Sequence, residues 1–305
     1  MKLGKLIERG LKSLYLAPLT IVRYGTLRPQ KVKLSDCDNW IHIDPIDRRA
    51  VKKFIQDPLR KRISPPLVFW RDFLAKLTPN VAIDVGVNYG ECLFGARYGS
   101  TTTVFGFEAN PKINECLKKS RSDHPDAARI QIIASLVSDS VEEEVAFYSD
   151  PSWSGTGSAV RSLNDGANVI TSSIPAVTID SVIPRNLVEG GTLLVKMDIE
   201  GYEPRAFGGL QQTIDAAKLV VGFIEFDTTF IREAGSDAEA FYQTLENKFH
   251  VYFVTNWRQK RLKRADRFAE LPKSRAEDKR VHTDLLLVTR GAAASEWLPD
   301  GWVIM

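Results

Sequence analysis

VAIDVGVNYG (residues 81–90), read together with VFGFEANP (104–111), decides the fold. An apolar run ends in Asp84, and a tight turn follows at Gly86 and Gly90. A second apolar run ends in Glu108, eighteen residues beyond Gly90. Strand, glycine turn, helix, strand, acid is the layout of a nucleoside-binding βαβ unit. The glycines let the backbone approach a ligand where a Cβ would clash. An acid at the end of the second strand is placed to accept hydrogen bonds from both hydroxyls of a ribose.

The glycine spacing selects the nucleoside. A dinucleotide site needs G-x-G-x-x-G, with a helix N-terminus aimed at a pyrophosphate. Counting from Gly86, the two later glycine positions hold Asn88 and Glu91. Glu91 near the helix N-terminus would repel a pyrophosphate. D-x-G-x-x-x-G instead suits a ligand with no phosphate and a cationic centre, a description that S-adenosylmethionine fits. On this reading Asp84, Gly86, Asn88, Gly90 and Glu108 hold the donor, with Asp84 toward its amino-acid end. Asp139, just after the third expected strand, is the candidate partner of the adenine amino group.

A third segment, LLVKMDIEGYEPRAFGGL (193–210), reads as a buried strand ending at Lys196–Met197. Asp198, Glu200, Gly201 and Glu203 follow, then a helix with Pro204 in its first turn. DVGVNYG, FEANP and KMDIEGYE together resemble the FkbM family of S-adenosylmethionine-dependent methyltransferases. That family's pattern runs D-V-G-A-N-x-G, F-E-P-x-P and K-x-D-V/I-E-G-x-E. Val87 stands for its usual alanine and Ala109 for its usual proline. SLVSDS (135–140) and VTIDSVI (177–183) resemble further family segments, and the likeness covers about residues 78–290. It implies an α/β fold: a doubly wound, mostly parallel, seven-stranded Rossmann-like methyltransferase sheet with an antiparallel last strand. It also implies O-methylation of a sugar, a glycan or a glycosylated metabolite.

The chemistry expected at 196–203 follows from what methyl transfer to oxygen requires. A neutral hydroxyl is a poor nucleophile, so a base must take its proton. In a doubly wound sheet, ligands sit outside the carboxyl ends of the strands. Asp198 stands at such an end and is the candidate catalytic base, with Glu200 supporting it and Lys196 orienting the carboxylates. Clustered carboxylates raise one another's pKa, which suits a proton acceptor. They suit a divalent cation such as Mg2+ equally well, with Asp198 as a ligand. Acids before a helix also favour its dipole, the alternative role for Glu203. An amino-directed enzyme would carry [DN]-P-P-[YF] after this strand, where this chain has DIEG.

The chain of 305 residues carries a net charge of +3, distributed unevenly. Residues 1–80 hold 17 Lys/Arg against 7 Asp/Glu, and residues 81–305 hold 24 against 31. The expected organisation is therefore a basic N-terminal helical extension (1–77), a catalytic domain (78–290) and a C-terminal tail (291–305). In MKLGKLIERGLKSLYL (1–16), apolar residues recur near helical spacing with Lys2, Lys5, Arg9 and Lys12 between them. Such a helix fits two roles: lying on an anionic membrane surface, or docking on protein. No apolar run approaches the roughly 20 residues that span a bilayer, and no secretory signal is read at the N-terminus. Cys37, Cys92 and Cys116 form no disulfide or zinc pattern, which points to a reducing cytoplasm.

Helices are expected near 46–56, 67–77, 90–98, 111–120, 203–216 and 237–247. Strands are expected at 81–85, 103–108, 129–134, 193–197, 219–226, 250–256 and 281–289, with an additional edge strand at 142–150. SWSGTGSAV (152–160) reads as a polar loop. Residues 257–280 join the last two strands and hold 10 Lys/Arg against 4 Asp/Glu. This segment fits an anion-binding hairpin for a charged acceptor or a solvated loop. A lipid or RNA acceptor, and a non-catalytic donor-binding protein, stand as alternatives. Against RNA, Trp257 and Phe268 are the segment's only aromatics, and no RNA-binding motif accompanies it.

Overall fold

The computed structural model describes residues 16–34, 37–57, 64–161, 168–274 and 280–305. The amphipathic segment at 1–16 falls, apart from Leu16, outside them. In the extension, residues 16–24 are helical. β1 (Lys31–Lys33) and β2 (Trp40–His42) then pair antiparallel. The extension is thus not helical throughout. KVK and WIH each set one fully buried residue, Val32 and Ile41, between less buried neighbours, which is the period of a strand. A helical turn at Arg48–Val51 continues as a π-turn over Lys52–Gln56, and a helix follows at Pro65–Leu77.

The region from residue 78 onward begins with β3 (Val81–Val85), β4 (Thr103–Phe107) and β5 (Ile130–Ile133). β6 (Leu136–Val137), β7 (Glu142–Asp150), β8 (Trp153–Ser158) and β9 (Ile170–Val177) come next. β10 (Thr192–Met197), β11 (Leu219–Asp227), β12 (Phe249–Asn256), β13 (Arg261–Ala265), β14 (His282–Thr289) and β15 (Val303–Ile304) complete the set. The main sheet has nine strands in the order β15-β13-β12-β14-β11-β10-β3-β4-β5. The seven expected strands form its body. β3, β4, β5, β10 and β11 run parallel, and β14 inserts antiparallel between β11 and β12. The two further strands extend one edge: β13 pairs with β12, and β15 pairs with β13. β13 arises within the basic 257–280 segment, where Leu262 and Ala265 are buried between exposed Arg261, Lys263 and Arg264.

Neighbouring residues of the central strands feed opposite faces. Val104 joins the cluster that also holds Val32, Ile41 and Phe54 of the extension, whereas Phe105 joins the one with Phe207 and Phe241. The extension is therefore packed onto one face of the sheet. The expected helix at 203–216 is two short helices, Glu203–Gly208 and Gln211–Ala216. The break falls where the chain passes Ser138, whose carbonyl oxygen would lie 2.1 Å from a Cβ on Gly209.

A second sheet, in the order β6-β9-β7-β8, accounts for the expected strand at 142–150. That segment joins this smaller sheet instead of the edge of the main one. The region expected to be a polar loop at 152–160 is β8, facing β7. Apart from Trp153 it holds only Ser, Gly and Thr, with Gly155 and Ser158 buried, which hydrophobic patterning does not register. Among the described residues, no helix is long and apolar enough to cross a membrane.

Candidate active site

The carboxyl ends of β3, β4 and β10 open into a cleft roofed by β8 and by the Arg48–Gln56 turns of the extension. Counted with its open mouth, the space between these elements is about 880 Å³. Asp84, Gly86, Asn88, Glu108, Lys196, Asp198 and Glu200 all line it. Residues from three sequence blocks are thereby brought together.

The turn after β3 is set by close approach. Gly86 has φ +79°, and a Cβ there would sit 2.0 Å from the Asp198 carbonyl oxygen. Only glycine lets this turn meet the one after β10. Gly90, at φ +84°, starts the short Glu91–Phe94 helix, and a Cβ on it would strike the Phe94 ring at 2.3 Å. Asn88 has φ +51°, a conformation asparagine tolerates. Its Nδ2 donates to the Ser154 carbonyl at 3.0 Å, tying the turn to β8. Glu108 is buried and accepts from the Asn88 N–H at 2.7 Å through Oε2 and from the Asn110 N–H at 2.8 Å through Oε1. Burial raises its pKa despite those two bonds. Each oxygen keeps a lone pair for a further donor.

Lys196 lies opposite Asp84 in the β3–β10 register. Its Nζ is 3.1 Å from Asp84 Oδ1 and 3.8 Å from Asp198 Oδ2. Burial opposes its charge, but the Asp84 and Asp198 carboxylates outweigh burial and keep it an ammonium. For Asp198, burial is in turn outweighed by Lys196, Arg49 and Lys53, which hold the carboxyl below its usual range. Glu200 goes the other way: burial, then the Asp198 charge, push it up to about 8. Glu200 takes φ +56°, and Gly201 follows at +94°, where a Cβ would meet the Phe230 backbone at 2.4 Å. The acid-bearing turn is therefore fixed by packing. Glu203, fully buried, accepts from the Ile199 N–H at 2.8 Å, so it braces that turn. Burial pushes it up to about 8.

Two acids missed in the sequence complete the cluster. Oxygens of Asp198, Glu200 and Glu225 lie within 4.8 Å of one another, close enough for one cation. Burial and the Asp198 charge hold Glu225 well above the usual range, and its side chain hydrogen-bonds Asp198. Asp284, opposite Glu225 across β11 and β14, is pushed up to about 7 by burial and by Asp198. The signal for both was present in the sequence, since each is a lone acid in a strongly apolar strand. Next in the row, buried Asp227 is held low, burial being outweighed by hydrogen bonds from His282 and Arg280.

Of the expected site residues, Gly90 is taken up by packing against Phe94 and does not line the cleft, and neither does Asp139. Asp139 follows β6 and pairs with Arg205 at 3.0 Å. The 257–280 segment also stays away. None of its described residues lines the cleft, and Lys260, Arg264, Arg267 and Arg280 meet Asp72, Asp266, Glu270 and Asp227. The cations that do line it beside Lys196 are Arg49 and Lys53 of the extension.

The model of the methyltransferase FkbM domain matches residues 84–253, more than half of the chain. Among solved structures, the chain is similar to a methyltransferase FkbM from Methylobacillus flagellatus KT. The two share 17% identity over 69% of this chain and 44% of that one, with a TM-score of 0.41. It is similar to EvdMO1 at 11% identity over 74% of this chain and 40% of that one, with a TM-score of 0.40. An O-methyltransferase from Bacillus cereus, solved in complex with SAH, matches at 10% identity over 80% and 96%, again with a TM-score of 0.40. The chain thus spans less than half the length of the first two. No curated protein matches it. The chain belongs to the FkbM family of methyltransferases.

Proposed function

We propose that this protein transfers a methyl group from S-adenosylmethionine to a hydroxyl of a sugar, glycan or glycosylated metabolite. One observation carries the reading: ionised Asp198 and high-pKa Glu200 line the same cleft as Glu108. The donor fits the residues present. Glu108 offers two oxygens where ribose hydroxyls would lie, and Gly86, which lines the cleft, brings the turn after β3 against the one after β10. A pyrophosphate does not fit, because Glu91 occupies the first turn of a four-residue helix.

The donor supplies an electrophilic methyl on a sulfonium. The chain's residues supply the rest. Asp198, kept ionised by Lys196, accepts a hydrogen bond from the acceptor hydroxyl and orients it for in-line attack. Asp198 takes the proton as the methyl is transferred, and Glu200, with the higher pKa of the two, supports it by receiving that proton from Asp198. Lys196 holds Asp84 and Asp198 in one arrangement, so neither carboxylate must reorganise during transfer. A second reading has its own support. Asp198, Glu200 and Glu225 would hold a divalent cation that lowers the hydroxyl pKa.

The test is turnover with methyl-labelled donor and cell-derived glycans. General-base catalysis contributes about 10²–10⁴-fold, so Asp198→Asn should lose about that factor while donor affinity holds. The product should be a methyl ether stable to mild base. Activity lost to a chelator and restored by Mg2+ selects the cation reading. Label on a nitrogen, or on RNA, rejects the acceptor class.

A further inference from the structure

Three cationic side chains line the cleft: Arg49, Lys53 and Lys196. Lys53 is paired with Glu91 at 2.6 Å, and Lys196 with Asp84 and Asp198. Arg49 makes no ion pair and no side-chain hydrogen bond with any described residue, although it is only partly exposed. An arginine keeps its charge at any working pH and presents five N–H donors in a planar fork. That fork is left open to the cleft, where the paired oxygens of a ligand can supply the partner that no described residue does.

The surroundings aim Arg49 deliberately. Asp47 caps its helical turn, accepting from Arg49 N at 2.8 Å, and the same carboxylate oxygen accepts from Ser154 N of β8 at 3.3 Å. Arg48 N donates to the Ser152 carbonyl at 3.0 Å. The extension is thus clamped to β8 and the turn before it through Asp47 and Arg48, the two residues preceding Arg49. Gly155 then makes room for the stem: a Cβ there would sit 2.7 Å from Arg49 Cδ and 2.9 Å from Nε. Arg49 lines the cleft with Asp198 and Glu200 and acts electrostatically on both, while Lys53 acts on Asp84 as well as on Asp198. Arg49 therefore belongs to the acceptor end of the cleft.

We infer that Arg49 is a specificity residue that receives a carboxylate or phosphate carried by the acceptor, held in the fork across from the hydroxyl to be methylated. The inference rests on the proposed sugar-directed activity and adds the charge of its substrate. It also moves the anion site from the 257–280 segment to the extension. A planar fork matches the paired oxygens of either group. The anion's charge is offset by Arg49 on one side while Asp198 and Glu200 stay free on the other.

The probes are glucuronate, glucose 6-phosphate and glucose, titrated calorimetrically into the full-length protein with and without saturating S-adenosylhomocysteine. The wild type should bind one or both charged sugars at least about tenfold more tightly than glucose, the effect of a charge-assisted pair. Which one is preferred identifies the anion. Arg49→Gln should erase the preference, and Arg49→Lys should restore part of it. Affinity for S-adenosylhomocysteine should be equal in all three proteins, with melting curves confirming that each is folded. Equal binding of charged and neutral sugars by the wild type overturns the inference. So does a loss of S-adenosylhomocysteine affinity in Arg49→Gln while 5′-methylthioadenosine, which lacks the carboxylate, binds unchanged. In that case Arg49 serves the donor. Failure of S-adenosylhomocysteine to bind the wild type refutes the donor reading, and the ligand-free titrations still decide the anion.

Discussion

Replacing Glu108 with glutamine keeps the side chain's shape and removes one charge. Its two oxygens now accept from the backbone N–H groups of Asn88 and Asn110 at 2.7 and 2.8 Å. Glutamine has one acceptor oxygen, so its NH2 must face one of those N–H donors. The turn carrying Asn88 loosens, and at least one ribose hydroxyl loses its acceptor. A hydrogen bond to a charged group contributes about 1.5–3 kcal/mol. Losing one such contact should weaken S-adenosylhomocysteine binding by about 10- to 150-fold. Calorimetry measures this directly, and 5′-methylthioadenosine should lose the same factor because it carries the same ribose. Unchanged affinity in a variant that melts cooperatively would refute the assignment of Glu108 to the ribose.

Gly86→Ala should destabilise the protein and abolish donor binding. The left-handed backbone costs an alanine about 1–2 kcal/mol, and the 2.0 Å approach to Asp198 O is to backbone, which no rotamer change relieves. Urea melts with parallel titrations check both effects. The acid cluster also sets a pH dependence. Glu200 and Glu203 are pushed up to about 8 and Asp284 to about 7, above ordinary carboxyl values of 4.5 and 3.8. Between about pH 5 and 8 the folded state therefore holds more of these protons than the unfolded chain, and their contribution to stability falls as pH rises. Glu200→Gln should make the fall of ligand-free stability with pH shallower than in the wild type, as read by urea melts at several pH values. A slope unaltered by the variant would contradict the coupling.

The sequence carried the centre of the sheet because β3, β4 and β10 are apolar runs with a signature residue at or just beyond the end: Asp84, Glu108 and Lys196. It carried the Asp84–Lys196–Asp198 constellation because those residues close adjacent strands, so local motifs became neighbours through topology alone. Three features were not legible for physical reasons. β8 holds Trp153 followed only by Ser, Gly and Thr, whose small side chains leave no hydrophobic period, yet it roofs the cleft. Arg49 lies far from the motifs in sequence and reaches the cleft because extension residues such as Val32, Ile41 and Phe54 pack on the sheet face. Asp139 follows an apolar run in sequence, but β6 belongs to the second sheet and Asp139 pairs with Arg205. Glu225 and Asp284 were visible as single acids in apolar strands. Only the antiparallel insertion of β14 beside β11 set them face to face.

The central claim is that the cleft built by Gly86, Asn88 and Glu108 binds a phosphate-free adenosyl sulfonium donor. It is tested most directly by titrating the purified chain with S-adenosylmethionine, S-adenosylhomocysteine and NAD in the same calorimetric experiment. The account predicts one-to-one binding of the two adenosyl ligands and no heat from NAD. Saturable binding of NAD, with both adenosyl ligands silent, would contradict it.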